Sequence, residues 1–124
     1  MPKLSKQSTT EVDHGPVVEW SEDMDGYTAN IVIFRQDIDS TPLLKGLPGD
    51  RCHCPHWGYV ITGKVTFRFA DHDEVFEAGD AFYVPAGHGQ MADADTEYVQ
   101  FSPREELAAV EAAIMKNMQA MQGA

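Results

Sequence analysis

The clearest pattern along the chain is an alternation of hydrophobic and polar residues between positions 64 and 70. Val65, Phe67 and Phe69 fall on one face of an extended chain, and polar residues lie between them. Side chains point alternately to the two faces of a strand, so this period of two predicts a half-buried antiparallel strand. Residues 57–62, which end at Gly63, predict another strand just before it.

Similar short segments continue through residues 17–102, with turn residues between them. Strands bounded by turn signals about every eight to twelve residues are typical of an all-β sandwich or barrel. Residues 1–16 are polar and contain Pro2, Gly15 and Pro16. We expect them to form a flexible arm before the barrel, or an edge strand at most.

The C-terminal part of the chain has a different period. Ser102 is followed by Glu105 three residues later, and Pro103 stands at the first helical position, which are two signals for the start of a helix. Apolar residues then recur at helical spacing. They are Leu107, Val110, Ile114, Met118 and Met121. The pattern predicts an amphipathic helix of about five turns over 103–121, packed on its own barrel or on a partner subunit.

Length, net charge and cysteine content limit the partners and the location that we expect for the protein. A length of 124 residues indicates one domain, and a domain this short gains stability from self-association, so we expect a homodimer. The net charge of −11 argues against partners such as nucleic acid or an anionic membrane. The N-terminus shows no secretory signal, and we expect a cytoplasmic protein. There the two cysteines would remain thiols.

One segment has a characteristic spacing of glycine and proline. Five residues separate Gly79 from Pro85, Gly87 follows after one residue, and Gln90 stands three positions further on. This spacing resembles the second motif of the cupin superfamily, in which a histidine occupies the position of Gln90. The frame of the motif is complete, and its metal-binding position is substituted.

An earlier segment resembles the first cupin motif. Gly63 matches the glycine of that motif, and His56 stands where the motif has a glutamate. Asp50 and Cys52 stand at its two histidine positions. The resemblance is to small single-domain cupins with a Cys-Pro-His-Trp-Gly-Tyr-Val segment. It implies an antiparallel jelly-roll barrel, but the substituted ligands do not imply the iron or manganese chemistry common in that superfamily.

Potential metal ligands lie at positions 52, 54 and 56. In a strand Cys52, Cys54 and His56 would share one face, and the resemblance implies that this face points into the barrel. A straight strand would place the first and last of them about 13 Å apart, too far for one ion with bonds of about 2.0–2.3 Å. A bend at Pro55 would shorten that distance.

The second motif offers a fourth ligand. His88 is the better donor there, and Gln90 is an additional candidate because it stands at the expected position. We therefore predict that Cys52, Cys54, His56 and His88 bind one divalent metal inside the barrel. Thiolate and imidazole together favour zinc, with copper, iron or nickel as alternatives.

Three functions are compatible with such a barrel. The first is a metal-dependent enzyme that acts on a small organic molecule, since zinc with three protein ligands keeps one position open for a substrate. The second is a non-catalytic protein that binds or senses a metal or a small ligand. The third is a metal-free structural barrel filled by side chains. No residue stands out as a general acid, so the sequence leaves open whether the protein is an enzyme.

Overall fold

The computed structural model describes residues 3–122, and the side chains through residue 120. Two parts of the predicted elements lie outside these limits, namely residues 1 and 2 of the arm and the side chain of Met121 in the helix. None of the described helices is long and apolar enough to cross a membrane.

Ten strands and one α-helix form the described fold. The strands are β1 (Glu11–Asp13), β2 (Val17–Met24), β3 (Tyr27–Phe34), β4 (Ile38–Asp39), β5 (His56–Thr62), β6 (Lys64–Arg68), β7 (Asp73–Glu77), β8 (Ala81–Val84), β9 (Gly89–Ala92) and β10 (Glu97–Pro103). Six of them form a sheet in the order β1-β2-β3-β10-β5-β8, and four form a second sheet in the order β4-β9-β6-β7. Every pairing is antiparallel. The predicted all-β antiparallel architecture is confirmed.

The two sheets enclose one part of the hydrophobic core. The alternation predicted in β6 is present, because Val65 and Phe67 are fully buried while Lys64 and Arg68 are exposed. The Phe67 ring lies 5.6 Å from the Phe82 ring, centroid to centroid, and thereby joins the two sheets. The core fills one end of the barrel and leaves the other end for a cavity.

The helix α1 (Arg104–Gln122) covers that other end. It begins one residue later than predicted, because Pro103 still pairs with β3 as the last residue of β10. Leu107 and Val110 pack against the 3-10 helix Thr41–Leu44 and against both cysteines. The Asn117 Nδ2 donates hydrogen bonds to the carbonyls of Leu43, in that 3-10 helix, and of Lys45, just after it, at 2.7 and 2.9 Å. The apolar stripe of the helix therefore packs on its own chain.

The segment before the barrel lies along the outer side of the six-stranded sheet. Residues 11–13, within the predicted arm, form the edge strand β1 and pair with β2. The Lys6 ammonium lies 5.3 Å from the centre of the Trp20 ring and 2.8 Å from the Glu97 carboxylate. These contacts hold Lys6 on the outer side of the sheet, whereas His14 and Pro16, at the end of the segment, reach the cavity.

Candidate metal centre

Three of the predicted ligands come together inside the barrel. One donor atom from each of Cys52, His56 and His88 lies within 4.8 Å of the other two, and all three residues are buried. We call these residues the donor cluster. The cluster combines one thiol and two imidazoles, a set that binds transition metals such as zinc.

The two motifs meet through their backbones. Cys52 and His88 form an isolated antiparallel bridge, in which the Cys52 N–H donates to the His88 carbonyl at 2.7 Å. The His88 N–H donates in return to the Cys52 carbonyl at 3.1 Å. His56 opens β5, where it pairs with Val84 of β8, and its ring lies 5.1 Å from the His88 ring. The bridge thus brings residues 36 positions apart into one site.

Hydrogen bonds orient both imidazoles. The His88 Nδ1 lies 2.8 Å from the Pro85 carbonyl, which can only accept, so the proton is on Nδ1. Its Nε2 is left with a lone pair, is buried, and has no partner among the described residues. The His56 Nδ1 lies 2.7 Å from the Ser102 hydroxyl, and its Nε2 lies 3.7 Å from the Cys52 sulfur. Metal-binding histidines are commonly held in this way through their other nitrogen.

Burial keeps the donor cluster neutral when no ion is bound. Burial and, to a smaller extent, the adjacent His88 lower the pKa of His56 to about 3. Burial also lowers the pKa of His88 and raises that of the Cys52 thiol. Metal ligands must be deprotonated, so the histidines are ready to bind a cation while Cys52 must release a proton on binding.

Cys54 lies outside the donor cluster. Its side chain is fully buried near α1, with the sulfur 3.5 Å from the Pro55 carbonyl and 3.9 Å from that of Pro103. Burial raises the pKa of this thiol to about 12. The prediction of a shared face assumed a regular strand, but residues 53–55 are not extended in a sheet and β5 begins only at His56. Strand alternation therefore does not apply at Cys54.

Gln90 also lies apart from the donor cluster. It is part of β9, and its Nε2 donates to the Tyr98 hydroxyl at 2.9 Å. Both side chains line the cavity, as do the members of the donor cluster. The structure therefore places Gln90 on the cavity wall, and a ligand role for it remains a prediction.

The cavity has a volume of about 250 Å³ and lies between the barrel interior and α1. Leu107, Val110 and Ile114 form its apolar roof. Asn30 and Gln100 also line it, although the sequence reasoning did not select them. In β3 and in β10, the signal in the sequence was an amide side chain with hydrophobic residues on both sides of it.

Acidic side chains lie near the mouth of the cavity. Glu19 pairs with His14 at 3.1 Å. Lost hydration raises the pKa of the Glu111 carboxyl, and the negative charge of Glu19 raises it further. Among the described lining residues there is no Lys or Arg. The potential in the cavity therefore does not favour an anion.

Comparison with known proteins identifies the fold. No family model matches the chain, and no curated protein matches it by sequence. Solved structures do match it. An RmlC-like cupin from Shewanella frigidimarina NCIMB 400 is 18% identical, with a TM-score of 0.59 over 83% of this chain and 92% of that one.

Two further structures have similar scores. KdgF from a Halomonas species is 16% identical, with a TM-score of 0.56 over 83% of this chain and 94% of that one. The polyketide cyclase RemF from Streptomyces resistomycificus is 11% identical, with a TM-score of 0.57 over 83% and 79%. Each is a protein that this chain resembles in structure. The predicted cupin fold is thereby confirmed.

The buried histidines make the stability of the metal-free protein depend on pH. Between the ordinary histidine pKa of 6.5 and about 3, His56 binds a proton in the unfolded state but not in the folded state. The free energy of unfolding should therefore fall as the pH falls through this range, by roughly 1.4 kcal/mol per unit for one histidine. Urea unfolding of chelator-treated protein at pH 7.5, 6 and 5 measures this loss.

Two His→Gln variants show whether the loss of stability at low pH comes from His56. His56→Gln should flatten the pH dependence. His72→Gln should not, because the neighbouring Asp71 raises the pKa of His72, which is exposed. An equal slope in wild type and His56→Gln would contradict the assignment.

Proposed function

We propose that this cupin-fold protein binds one divalent metal ion through Cys52, His56 and His88, and that the ion faces a small organic molecule bound in the cavity. Zinc is the favoured ion, with copper, iron or nickel as alternatives. The observation that carries the proposal is the buried Nε2 of His88, which has no partner and lies in the donor cluster. A buried acceptor without a partner is costly, and a bound cation would satisfy it.

The spacing of the donors supports a metal. In a tetrahedral zinc site with bonds of about 2.0–2.3 Å, neighbouring donor atoms lie roughly 3.3–3.8 Å apart. The Cys52 sulfur and the His56 Nε2 are already 3.7 Å apart. Three protein ligands would leave a fourth position on the side of the cavity, where the ion would supply a Lewis acid.

Other residues of the protein would orient the ligands and limit the access of water. The Pro85 carbonyl and the Ser102 hydroxyl hold the two imidazoles in place. The apolar roof formed by Leu107 and Val110 limits the access of water. Where a bound molecule is shielded from water by this roof, each polar contact to it is stronger than it would be in water.

The alternative is a carrier or sensor that binds the same ligands without turnover. The polar groups that line the cavity beside the donor cluster favour this alternative. They are the amides of Asn30, Gln90 and Gln100 and the phenol of Tyr98, which are not acid or base catalysts near neutral pH. Burial raises the pKa of Tyr98. A structural barrel filled by side chains is less consistent with a cavity of about 250 Å³.

Metal content tests the ligand set directly. Protein produced without added metal and assayed by elemental analysis should contain about one zinc per chain. Cys52→Ser and His88→Gln should each lower zinc affinity by more than about a hundredfold, since loss of an outer partner alone costs 10–100-fold. Cys54→Ser is the matched control and should retain the metal.

Two outcomes would contradict the ligand set. One is full metal content in the Cys52→Ser and His88→Gln variants. The other is loss of metal in Cys54→Ser while the protein remains folded by circular dichroism, which would restore the four-ligand prediction.

We further propose that the protein is a homodimer that associates through the outer face of the six-stranded sheet. Six large apolar side chains there each expose between 42% and 51% of their surface. They are Tyr27, Trp57, Tyr59, Ile61, Tyr83 and Phe101. Trp57 lies at the centre, paired across the sheet with Phe101 and Tyr83. An apolar patch of this size on a chain of net charge −11 is suited to a second copy of itself around a two-fold axis.

Sedimentation equilibrium tests the dimer. The wild type should sediment at twice the chain mass of 13.7 kDa, and Trp57→Lys should sediment as a monomer. Val75→Lys is the control, because Val75 is equally exposed but lies on β7 in the other sheet. A monomeric wild type would contradict the proposal. A cytoplasmic location stays a prediction, and it is consistent with both cysteines being free thiols.

A further inference from the structure

A second group of unsatisfied polar atoms lies in the same cavity, apart from the donor cluster. The Asn30 Oδ1 and the Gln100 Oε1 are buried and have no hydrogen-bond partner among the described residues. The two residues are 2% and 7% exposed, and both line the cavity. We call them the amide pair.

The sheet places the amide pair side by side. Asn30 of β3 and Gln100 of β10 are direct cross-strand partners, and both point to the inner face. Directly opposed residues of an antiparallel pair have Cβ atoms about 4.5–5.5 Å apart. One small molecule can therefore contact both carbonyl oxygens.

The Asn30 amide turns its nitrogen towards Ser21. Its Nδ2 donates to the Ser21 hydroxyl at 2.6 Å, so its oxygen is the atom left without a partner. An amide oxygen can only accept a hydrogen bond. A molecule that satisfies the amide pair must therefore bring hydrogen-bond donors.

The charged residues around the cavity restrict the charge of the ligand. The ionisable side chains at the mouth are Glu19, paired with His14, and Glu111, and the described lining contains no Lys or Arg. Without a bound ion, a carboxylate or phosphate would enter the cavity without a counter-charge, which is costly where the anion loses water. A neutral or cationic molecule would not have this cost. A divalent ion held by one thiolate would supply positive charge at the donor cluster only, so the preference against an anion applies to the amide pair in the metal-free protein.

The volume of the cavity and the separation of the amide pair from the donor cluster limit the size of the ligand. Gln100 and Ser102 lie two residues apart on the same face of β10, which is about 6.6 Å along a strand, and Ser102 holds His56 of the donor cluster. A cavity of about 250 Å³ is larger than the roughly 150 Å³ that accommodates a benzene ring. A substituted six-membered ring could reach the amide pair and the donor cluster together.

We propose that the cavity takes a small neutral or cationic molecule with two adjacent hydrogen-bond donors, hydroxyl or amine, which bind the carbonyl oxygens of Asn30 and Gln100. This inference deepens the proposed function and rests on it for the location of the ligand. The amide pair would determine which molecules enter, and the donor cluster would hold the metal.

Four probes built on one ring test the chemistry. They are trans-cyclohexane-1,2-diol, trans-2-aminocyclohexanol, the dimethyl ether of the diol, and 2-hydroxycyclohexanecarboxylate. Binding is measured by calorimetry or by NMR titration of the full chain. The diol and the amino alcohol should bind at least about tenfold more tightly than the ether, since one hydrogen bond is worth up to about tenfold. In chelator-treated protein the carboxylate should bind more weakly than the diol.

Variants of the amide pair test the residues. Gln100→Met keeps the side-chain volume but removes the acceptor, and it should lower the preference for diol over ether by about tenfold. Gln100→Glu keeps an acceptor oxygen and should retain diol binding while strengthening binding of the amino alcohol. Asn30→Asp should act in the same direction. Gln119→Met, on the exposed side of α1, is the matched control and should leave the preference unchanged.

Several results would overturn the inference. They are ether binding as tight as diol binding, carboxylate binding to chelator-treated protein as tight as diol binding, an unchanged preference in folded Gln100→Met, or no binding of any probe at millimolar concentration. Each titration is made with zinc-loaded and with chelator-treated protein. A preference that survives without zinc supports the amide pair even if the metal proposal fails. A normal zinc content without any preference for diol over ether refutes the role of the amide pair and leaves the metal proposal intact.

Discussion

The backbone bridge between Cys52 and His88 is the constraint on which the candidate site depends. Residues 53–55 are irregular, so nothing in the strand pattern alone would aim the Cys52 sulfur at the histidines. Two reciprocal hydrogen bonds, at 2.7 and 3.1 Å, hold this segment against the start of β9. The bridge is buried, where backbone hydrogen bonds do not compete with water and are costly to break. The donor cluster therefore depends on backbone geometry before any ion is bound.

The helix α1 completes the site from outside the barrel. Its residues Leu107 and Val110 pack on both cysteines and on Leu44, so the same contacts stabilise the irregular segment and close the cavity. This arrangement explains why two neighbouring cysteines have different surroundings. The Cys52 sulfur faces the imidazoles, and the Cys54 sulfur faces backbone carbonyls near the start of the helix. Cys54 belongs to the buried apolar cluster beneath the helix, and burial raises the pKa of its thiol to about 12.

Local patterns predicted much of the fold. The alternation in β6 and the helical spacing after Pro103 correspond to the observed elements within one residue at the helix start. The spacing of glycine and proline also pointed to a cupin barrel, which the structural neighbours confirm. These features depend on neighbouring residues, and a single sequence contains that information.

The sequence predicted part of the candidate site. Cys52, His56 and His88 come together as expected, whereas Cys54 does not, because alternation fails in a segment that is not a strand. Asn30 and Gln100 were missed for another reason. Their pairing joins residues 70 positions apart through the register of β3 and β10, which no local pattern encodes.

X-ray absorption at the zinc edge of zinc-loaded protein tests the central claim most directly. One thiolate and two imidazoles predict a first shell with one sulfur at about 2.3 Å and two nitrogens at about 2.0–2.1 Å, completed by an oxygen from water. A shell with two sulfurs would place Cys54 on the ion and contradict the three-residue cluster. A shell of oxygens alone would mean that the metal binds elsewhere on this acidic chain.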